Sequence, residues 1–287
     1  MDVRVNHKTL TPAAKTTLVK AILGLKNDVD SVLHPGKQKR YDDFVEVHKN
    51  SMVMGIAGSF HPMPHGSALF FPWHRVLLRQ FELALQKVAK KKIALPYWDW
   101  GLTGTSSPFT DDFLGGDGDA AQGGRVTTGP FASSTGKFPI RVWDHTTGDP
   151  ALRREFGDDS TSFLPTPSQT AAGLAKVPYW PGPSCFEVVA ETMLHNPVHR
   201  WVGGNMLLAT SPNDPVFFLH HAFLDKLWED WKTQHPTADP YLPKTDSHGH
   251  GLNDTLVFSN ASHPAPWAES WTVKQTLDPT ALGYDYV

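Results

Sequence analysis

The sequence predicts a mainly α fold: an antiparallel four-helix bundle with long loops and little β structure. Apolar residues recur at helical spacing in several separate segments of the 287-residue chain. Between them lie stretches rich in Gly, Pro, Ser and Thr, in which helical and alternating patterns both fade. No composition shift marks a domain boundary, so we expect residues 1–287 to form one domain.

The first two helices are predicted close to the N-terminus. Thr11 followed by Pro12 is typical of a helix start, and the apolar spacing that follows predicts a helix over 11–27. A second apolar stripe predicts a helix over about 39–50, with His48 on its inward face.

The clearest helical pattern begins at Pro72 and places His74 on the apolar stripe. Weaker helical patterns return over 183–193 and 196–202, and the last strong helix is predicted to start at Asp214. The segments over about 95–182 and 236–287 are expected to be loop-rich and to cover the helical core.

Composition excludes several classes of partner. The formal net charge of -3 provides no basic surface for nucleic acid or anionic lipid. No window approaches the ~18 apolar residues of a membrane-spanning helix, and the first residues do not resemble a signal peptide. The single cysteine, Cys185, excludes an internal disulfide and weakly favours a reducing compartment. We therefore expect a soluble protein without its own export signal.

Histidine is frequent, with 15 residues, and several histidines lie on or beside the predicted helices. A single histidine on an apolar face is usually a hydrogen-bonded core residue. Burying many imidazoles in that way would leave donors and acceptors unpaired, at a cost of ~1–3 kcal/mol each. The histidines concerned are His48, His65, His74, His195, His199 and His221.

A metal centre would give these imidazoles a shared partner. All-imidazole coordination suits copper or zinc, whereas di-iron bundles use glutamate ligands that are missing here. Six histidines are also more than one tetrahedral zinc ion can use. The count therefore favours two metal ions with three histidines each.

Two long motifs carry these histidines. The first is HGSALFFPWHR at 65–75, followed by LPYWDW at 95–100. The second is HNPVHRWVGG at 195–204, followed by SPNDPVFFLHHA at 211–222. In order and spacing they resemble the two copper-binding regions of tyrosinases of the bacterial type, and shorter matches spread the resemblance over nearly the whole chain.

The resemblance implies a phenol oxidase with a binuclear centre of two copper ions and with O2 as co-substrate. Such an enzyme hydroxylates monophenols in the ortho position and oxidises o-diphenols to o-quinones. The resemblance assigns three histidines to each copper: His48, His65 and His74 to the first, and His195, His199 and His221 to the second.

Two of these assignments depend on the resemblance alone. Both His220 and His221 can lie on apolar stripes of the last helix, and the match selects His221 as the ligand. His220 is then expected to support the ligands or to pack among them. The nine-residue step from His65 to His74 likewise selects His65 over His61.

The chain departs from common family patterns at two places. It has no cysteine near His65, so a thioether link to that histidine is excluded, as in bacterial members. Pro197 lies inside the second motif, and proline is well tolerated only in the first helical turn. A helix is therefore expected to start at Asn196 or Pro197, with His195 just outside it.

Glu191 and Asn196 match the family residues thought to hold the water that takes the phenolic proton. A base of this kind is useful because the pKa of a phenol is about 10. Two plainer interpretations stay open at this point. Asn196 is also a good helix cap, and Glu191 could be a surface charge or could orient His195.

Position after the second motif places Ala209 at the mouth of the substrate pocket, where Met206 and Arg200 would flank it. The small side chain of Ala209 predicts an open mouth, suited to small phenolic substrates. A catechol oxidase or an o-aminophenol oxidase would use the same ligands, while a haemocyanin-like O2 carrier and a zinc hydrolase fit less well. Relatives also suggest a copper-delivery helper protein, so the chain is expected in the cytoplasm or exported with a partner.

Overall fold

In a computed structural model of the chain, the described residues are 1–53, 64–102, 107–144, 148–158, 161–258 and 264–287. None of the helices in these ranges has the length and apolar character that a membrane span requires. The α-helices are α1 (Pro12–Asn27), α2 (Arg40–Val53), α3 (Phe70–Ala89), α4 (Pro167–Leu174), α5 (Phe186–Val189), α6 (Asn196–Val202) and α7 (Val216–Gln234). The short strands are β1 (Asp2–Arg4), β2 (Gly118–Asp119), β3 (Arg125–Val126) and β4 (Tyr284–Tyr286).

The predicted mainly α fold is confirmed, and the helix starts follow local chemistry. The Thr11 hydroxyl accepts a hydrogen bond from the Ala14 amide at 3.2 Å and caps α1, as its position before Pro12 predicts. Helix α3 begins at Phe70, slightly before the expected Pro72. Pro72 is tolerated in this first turn because the amides there have no partner within the helix.

Helices α3 and α7 form the centre of the bundle and run antiparallel. Phe71, early in α3, packs on Trp228, late in α7, with ring centroids 5.5 Å apart. Further along α3, Phe81 stacks on Phe218 at the start of α7, with centroids 3.5 Å apart. These buried aromatic pairs fix which inward-facing residues of the two helices meet.

Buried ion pairs connect this centre to both ends of the chain. Asp225 of α7 accepts hydrogen bonds from Arg75 of α3 (2.6 Å) and from Arg4 of β1 (3.2 Å). The hydroxyls of Tyr284 and Tyr286 in β4 also donate to Asp225, each at 2.6 Å. Strand β4 pairs in parallel with β1, so the C-terminal segment closes over α3 and α7.

Helix α4 lies inside the segment over 95–182 that was expected to be loop-rich. A capping box starts it, because the Thr166 hydroxyl accepts from the Gln169 amide and the Gln169 side chain accepts from the Thr166 amide. The rest of that segment holds two-residue strands and short 3-10 turns. A helix of only eight residues carries too little apolar periodicity to be recognised beside so many turn residues.

A π-helical turn over Ala190–His195 joins α5 to α6. Helix α6 begins at Asn196, and His195 lies just outside it, as predicted; His195 is the last residue of the π-turn. The Asn196 amide donates to the Glu191 carbonyl, one residue further back than in an α-helix. This wider turn lets the chain stay helical up to Pro197, which has no amide to donate.

Candidate metal centre

The first histidine group comes from two helices and the segment between them. His48 lies on α2, His74 lies on α3, and His65 lies shortly before α3. Their candidate ligand nitrogens all lie within 4.8 Å of one another, and the Nε2 atoms of His48 and His65 are 3.4 Å apart. His61, the alternative to His65, lies outside the described residues.

Backbone carbonyls orient two of these rings. His48 Nδ1 donates to the Ala209 carbonyl, and His74 Nδ1 donates to the Phe70 carbonyl, both at 2.7 Å. A carbonyl only accepts, so the hydrogen of each neutral ring lies on Nδ1. The Nε2 lone pair of each ring is therefore free to bind a metal.

The second group contains four histidines rather than three. His195 ends the π-turn, His199 lies on α6, and His220 and His221 lie on α7. The candidate ligand nitrogens of the four lie within 4.8 Å of one another. His199 Nδ1 donates to the Met206 carbonyl at 2.7 Å, which leaves its Nε2 3.4 Å from that of His221.

A tryptophan distinguishes His220 from His221. The indole nitrogen of Trp100, which can only donate, lies 3.0 Å from His220 Nδ1. That nitrogen must therefore accept, and in a neutral ring the hydrogen of His220 lies on Nε2, which then has no lone pair for a metal. This geometry supports the selection of His221, which the apolar pattern of α7 did not decide.

The two groups face each other across a short gap. The rings of His74 and His221 stack with centroids 4.4 Å apart, and those of His65 and His195 lie 5.8 Å apart. Among the described residues, the buried Nε2 atoms of His74, His195 and His220 and the Nδ1 atom of His221 have no hydrogen-bond partner. Because each unpaired buried polar atom costs ~1–3 kcal/mol, two closely spaced metal ions fit this arrangement.

Burial keeps most of these imidazoles neutral. It lowers the pKa of His48, His74, His195 and His221 well below the ordinary value, and neighbouring histidines lower it further. The pKa of His199 falls to about 4, again chiefly through burial. Neutral imidazole is the form that coordinates metals, so the donor set is suited to bind ions at neutral pH.

Glu191 lies against the first histidine group. It is buried, its Oε1 accepts from His65 Nδ1 at 3.0 Å, and its Oε2 accepts from the Gly66 amide at 2.8 Å. Burial alone would raise the pKa of Glu191, but these hydrogen bonds outweigh burial and lower it. The interpretation of Glu191 as a surface charge is wrong, and the histidine that it contacts is His65 rather than His195.

Asn196 contacts the second group. Its Oδ1 accepts from His195 Nδ1 at 2.8 Å, which fixes the ring of that histidine. Its backbone is helical, with φ -59° and ψ -38°, and α6 has no side-chain cap. The interpretation of Asn196 as a helix cap is therefore wrong.

A cavity of about 270 Å³ opens onto both groups. Its walls include the predicted residues Arg200, Met206 and Ala209. Met206 is buried, whereas Arg200 is exposed at the mouth. Sequence reasoning missed Leu207 and Leu208, which also line the cavity and are about half exposed, because nothing in their spacing indicates a wall.

The comparisons with known proteins agree with this geometry. The family model described as the common central domain of tyrosinase matches residues 38–234. This chain belongs to the tyrosinase family. A tyrosinase from Streptomyces antibioticus is 40% identical over 277 residues, which cover 92% of this chain and 95% of that protein. Grixazone synthase from Streptomyces griseus is 34% identical over 85% of this chain and 88% of its own length.

Solved structures share the fold of this tyrosinase-family chain at lower identity. A polyphenol oxidase from Thermothelomyces thermophila matches with a TM-score of 0.74 and 24% identity, over 100% of this chain and 89% of that chain. A functional unit of octopus hemocyanin matches with a TM-score of 0.58 and 21% identity, over 100% of this chain and 68% of that chain. The chain is a copper-dependent phenol oxidase of the tyrosinase family, with two histidine groups that suit its binuclear copper.

Proposed function

We propose that the chain carries out both reactions of a tyrosinase: ortho-hydroxylation of monophenols and oxidation of o-diphenols to o-quinones, each with O2. The observation that carries this proposal is the buried carboxylate of Glu191, whose hydrogen-bond partner His65 lines the open cavity. A phenol oxidase that acts on catechols alone has less need of such a base.

We assign the copper ligands from the two histidine groups and from the hydrogen bonds at Nδ1 that orient five of the six rings. His48, His65 and His74 would hold one ion, and His195, His199 and His221 would hold the other. Bound copper would supply the activation of O2 and a site for the phenolate oxygen. His220 is left out because the Trp100 indole occupies its Nδ1.

The chain's own residues prepare the phenol for this chemistry. A phenol with a pKa of about 10 is largely protonated at neutral pH, so it must lose its proton as it binds. Glu191 and Asn196 would hold a water between them, and the Glu191 carboxylate would take the proton through that water. Met206 and Leu207 line the cavity and would position the aromatic ring of the substrate.

The central test is turnover of three substrates by the copper-loaded protein: a monophenol, a catechol and an o-aminophenol. We expect oxidation of both the monophenol and the catechol, with the catechol faster because it needs no oxygen insertion. O2 consumption and quinone absorbance measure both rates. Turnover of the catechol or the o-aminophenol without any turnover of the monophenol would instead identify a specialised oxidase.

Arg200 provides a prediction on substrate charge. It lies exposed at the mouth of the cavity, and its guanidinium makes no ion pair with any residue that the structure describes. An exposed ion pair is worth ~0.2–1 kcal/mol, so Arg200→Ala should raise the KM for a phenol that carries a carboxylate by about 1.5- to 5-fold. A phenol without a carboxylate is the matched control, and an equal rise for both would contradict this role.

We propose that a helper protein delivers the copper, and that the chain acts in the cytoplasm or is exported with that partner. Leu207 and Leu208 give the cavity mouth an apolar rim, which suits contact with another protein. Apo-protein made alone should therefore load poorly from a free copper salt. Full loading to two copper ions per chain without any second protein would contradict the helper.

A further inference from the structure

A second glutamate, Glu187, lies four residues before Glu191 and has no role in the chemistry described above. It is fully buried on α5, and neither carboxyl oxygen receives a hydrogen bond from an N–H or O–H donor among the described residues. The ionisable group that acts on it most strongly is the Glu191 side chain, four residues further along the chain. We propose that Glu187 is a positioning residue, whose neutral carboxylic acid donates a hydrogen bond to Glu191 and holds that carboxylate against His65 and Gly66.

The helical path brings the two side chains together. Glu187 and Glu191 are four residues apart along α5 and the π-turn, a spacing that places side chains on one helix face. Two charged carboxylates at this spacing repel each other, and burial strengthens the repulsion because the local dielectric constant is low. A contact between them is stable only if one of the two carries a proton.

The surroundings decide which carboxyl carries that proton. Glu191 accepts hydrogen bonds from His65 Nδ1 and from the Gly66 amide, and both bonds favour its charged form. Glu187 has no such donor. Burial, followed by the negative charge of Glu191, raises the pKa of Glu187 to about 10.

In the part of the chain that the structure describes, the titratable groups that face Glu187 from the neighbouring elements supply no positive charge. They are Glu191, Tyr179, Tyr241 and Cys185. The Tyr179 hydroxyl donates to the Ala68 carbonyl at 2.7 Å, so it is not available to Glu187. A charged Glu187 would therefore be an unpaired buried carboxylate, whereas a neutral Glu187 can donate a hydrogen bond to the Glu191 carboxylate.

This hydrogen bond has two consequences for the site. Bonds between an acid and a carboxylate are among the strong ones, so Glu187 would restrict the rotation of Glu191 and, through it, the ring of His65. It would also leave Glu191 charged and free to accept a phenolic proton. This second consequence rests on the role proposed above for Glu191, while the hydrogen bond itself does not.

The first test is infrared spectroscopy of the full chain at neutral pH without substrate. A wild-type minus Glu187→Gln difference spectrum should contain the carbonyl band of a protonated carboxylic acid. Glu46→Gln is the matched control, since Glu46 is partly exposed and pairs with His34, and its difference spectrum should lack the acid band. Absence of the acid band from the Glu187 spectrum would overturn the proposal.

The second test is the pH dependence of stability. The pKa of Glu187 is raised in the folded protein, so its stabilising contribution is complete below the unfolded value of about 4.3 and is lost as pH rises toward about 10. Glu187→Gln cannot lose a proton there. The ratio of folded to unfolded protein should therefore rise in Glu187→Gln relative to wild type as the pH increases above about 5, by up to about tenfold per pH unit. A constant difference across this range would overturn the proposal.

A third measurement addresses position rather than protonation. Glutamine can still donate to Glu191, whereas leucine of similar size cannot. Glu187→Leu should reduce the monophenol rate per bound copper more than the catechol rate, and Glu187→Gln should recover part of that loss. Equal effects of both variants on both substrates would contradict the positioning role. If Glu191→Gln leaves the monophenol rate intact, the role of Glu191 as the base fails, while the spectrum and the pH slope still test Glu187.

Discussion

Replacing His74 or His221 by alanine should abolish phenol oxidation and reduce the copper content of the protein below two ions per chain. The rings of these histidines stack at 4.4 Å where the two groups meet, so each loss leaves one ion with two imidazoles. Removing a residue that merely supports a ligand typically weakens metal binding by ~10- to 100-fold, and losing a ligand should cost more. Metal analysis and O2 uptake measure the two effects.

Two control variants make this prediction specific. His220→Gln should keep both copper ions, because the side-chain oxygen of glutamine can still accept from the Trp100 indole. His248→Ala should change neither copper content nor activity, since His248 is exposed in the C-terminal segment. If His220→Gln loses copper while His221→Ala retains it, the assignment of the second site is wrong.

The metal should also stabilise the fold, because each ion connects separate helices. An ion that binds only the folded state stabilises it by ~2.7 kcal/mol when its free concentration is a hundred times the Kd. Chelation should therefore lower the Tm of wild type and leave that of His74→Ala much less affected. Active protein with one copper ion, or with mostly zinc, would contradict the binuclear copper assignment.

Glu191→Gln should slow turnover of a monophenol far more than turnover of a catechol. The variant keeps the size of the side chain but removes the carboxylate that contacts His65 Nδ1 at 3.0 Å. Loss of one proton-transfer catalyst is typically worth ~100- to 10,000-fold, and bulk water can replace part of it in an open cavity. Catechols are more acidic and need no oxygen insertion, so their rate should fall much less.

Asn196→Ala should lower the same ratio of monophenol to catechol turnover, but with an added loss of copper. Asn196 Oδ1 accepts from His195 Nδ1 at 2.8 Å, so its removal loosens a ligand ring as well as the proposed water site. Rates must therefore be expressed per bound copper. Equal losses on both substrates after this correction would limit Asn196 to orienting His195 and would remove its role in proton transfer.

The amino-acid sequence by itself determined the fold class, the helices with strong apolar periodicity and the metal-binding character of the chain. Those properties follow from local spacing: apolar stripes define α1, α3 and α7, and the two histidine motifs have lengths and an order that chance does not produce. The candidate pocket residues Arg200, Met206 and Ala209 could be named in the same way, because Arg200 lies within the second motif and the other two follow it at short distances.

Only the tertiary structure decided which partner each of these side chains has. Residues far apart in sequence meet at the site. Local patterns therefore could not predict that Trp100 contacts His220 or that Glu191 contacts His65. The π-turn that ends at His195 depends on tertiary packing, which the apolar periodicity of the sequence does not indicate. The isolation of Glu187 beside Glu191 likewise appears only when burial and every nearby donor are known, because the protonation of a carboxyl depends on its whole surroundings.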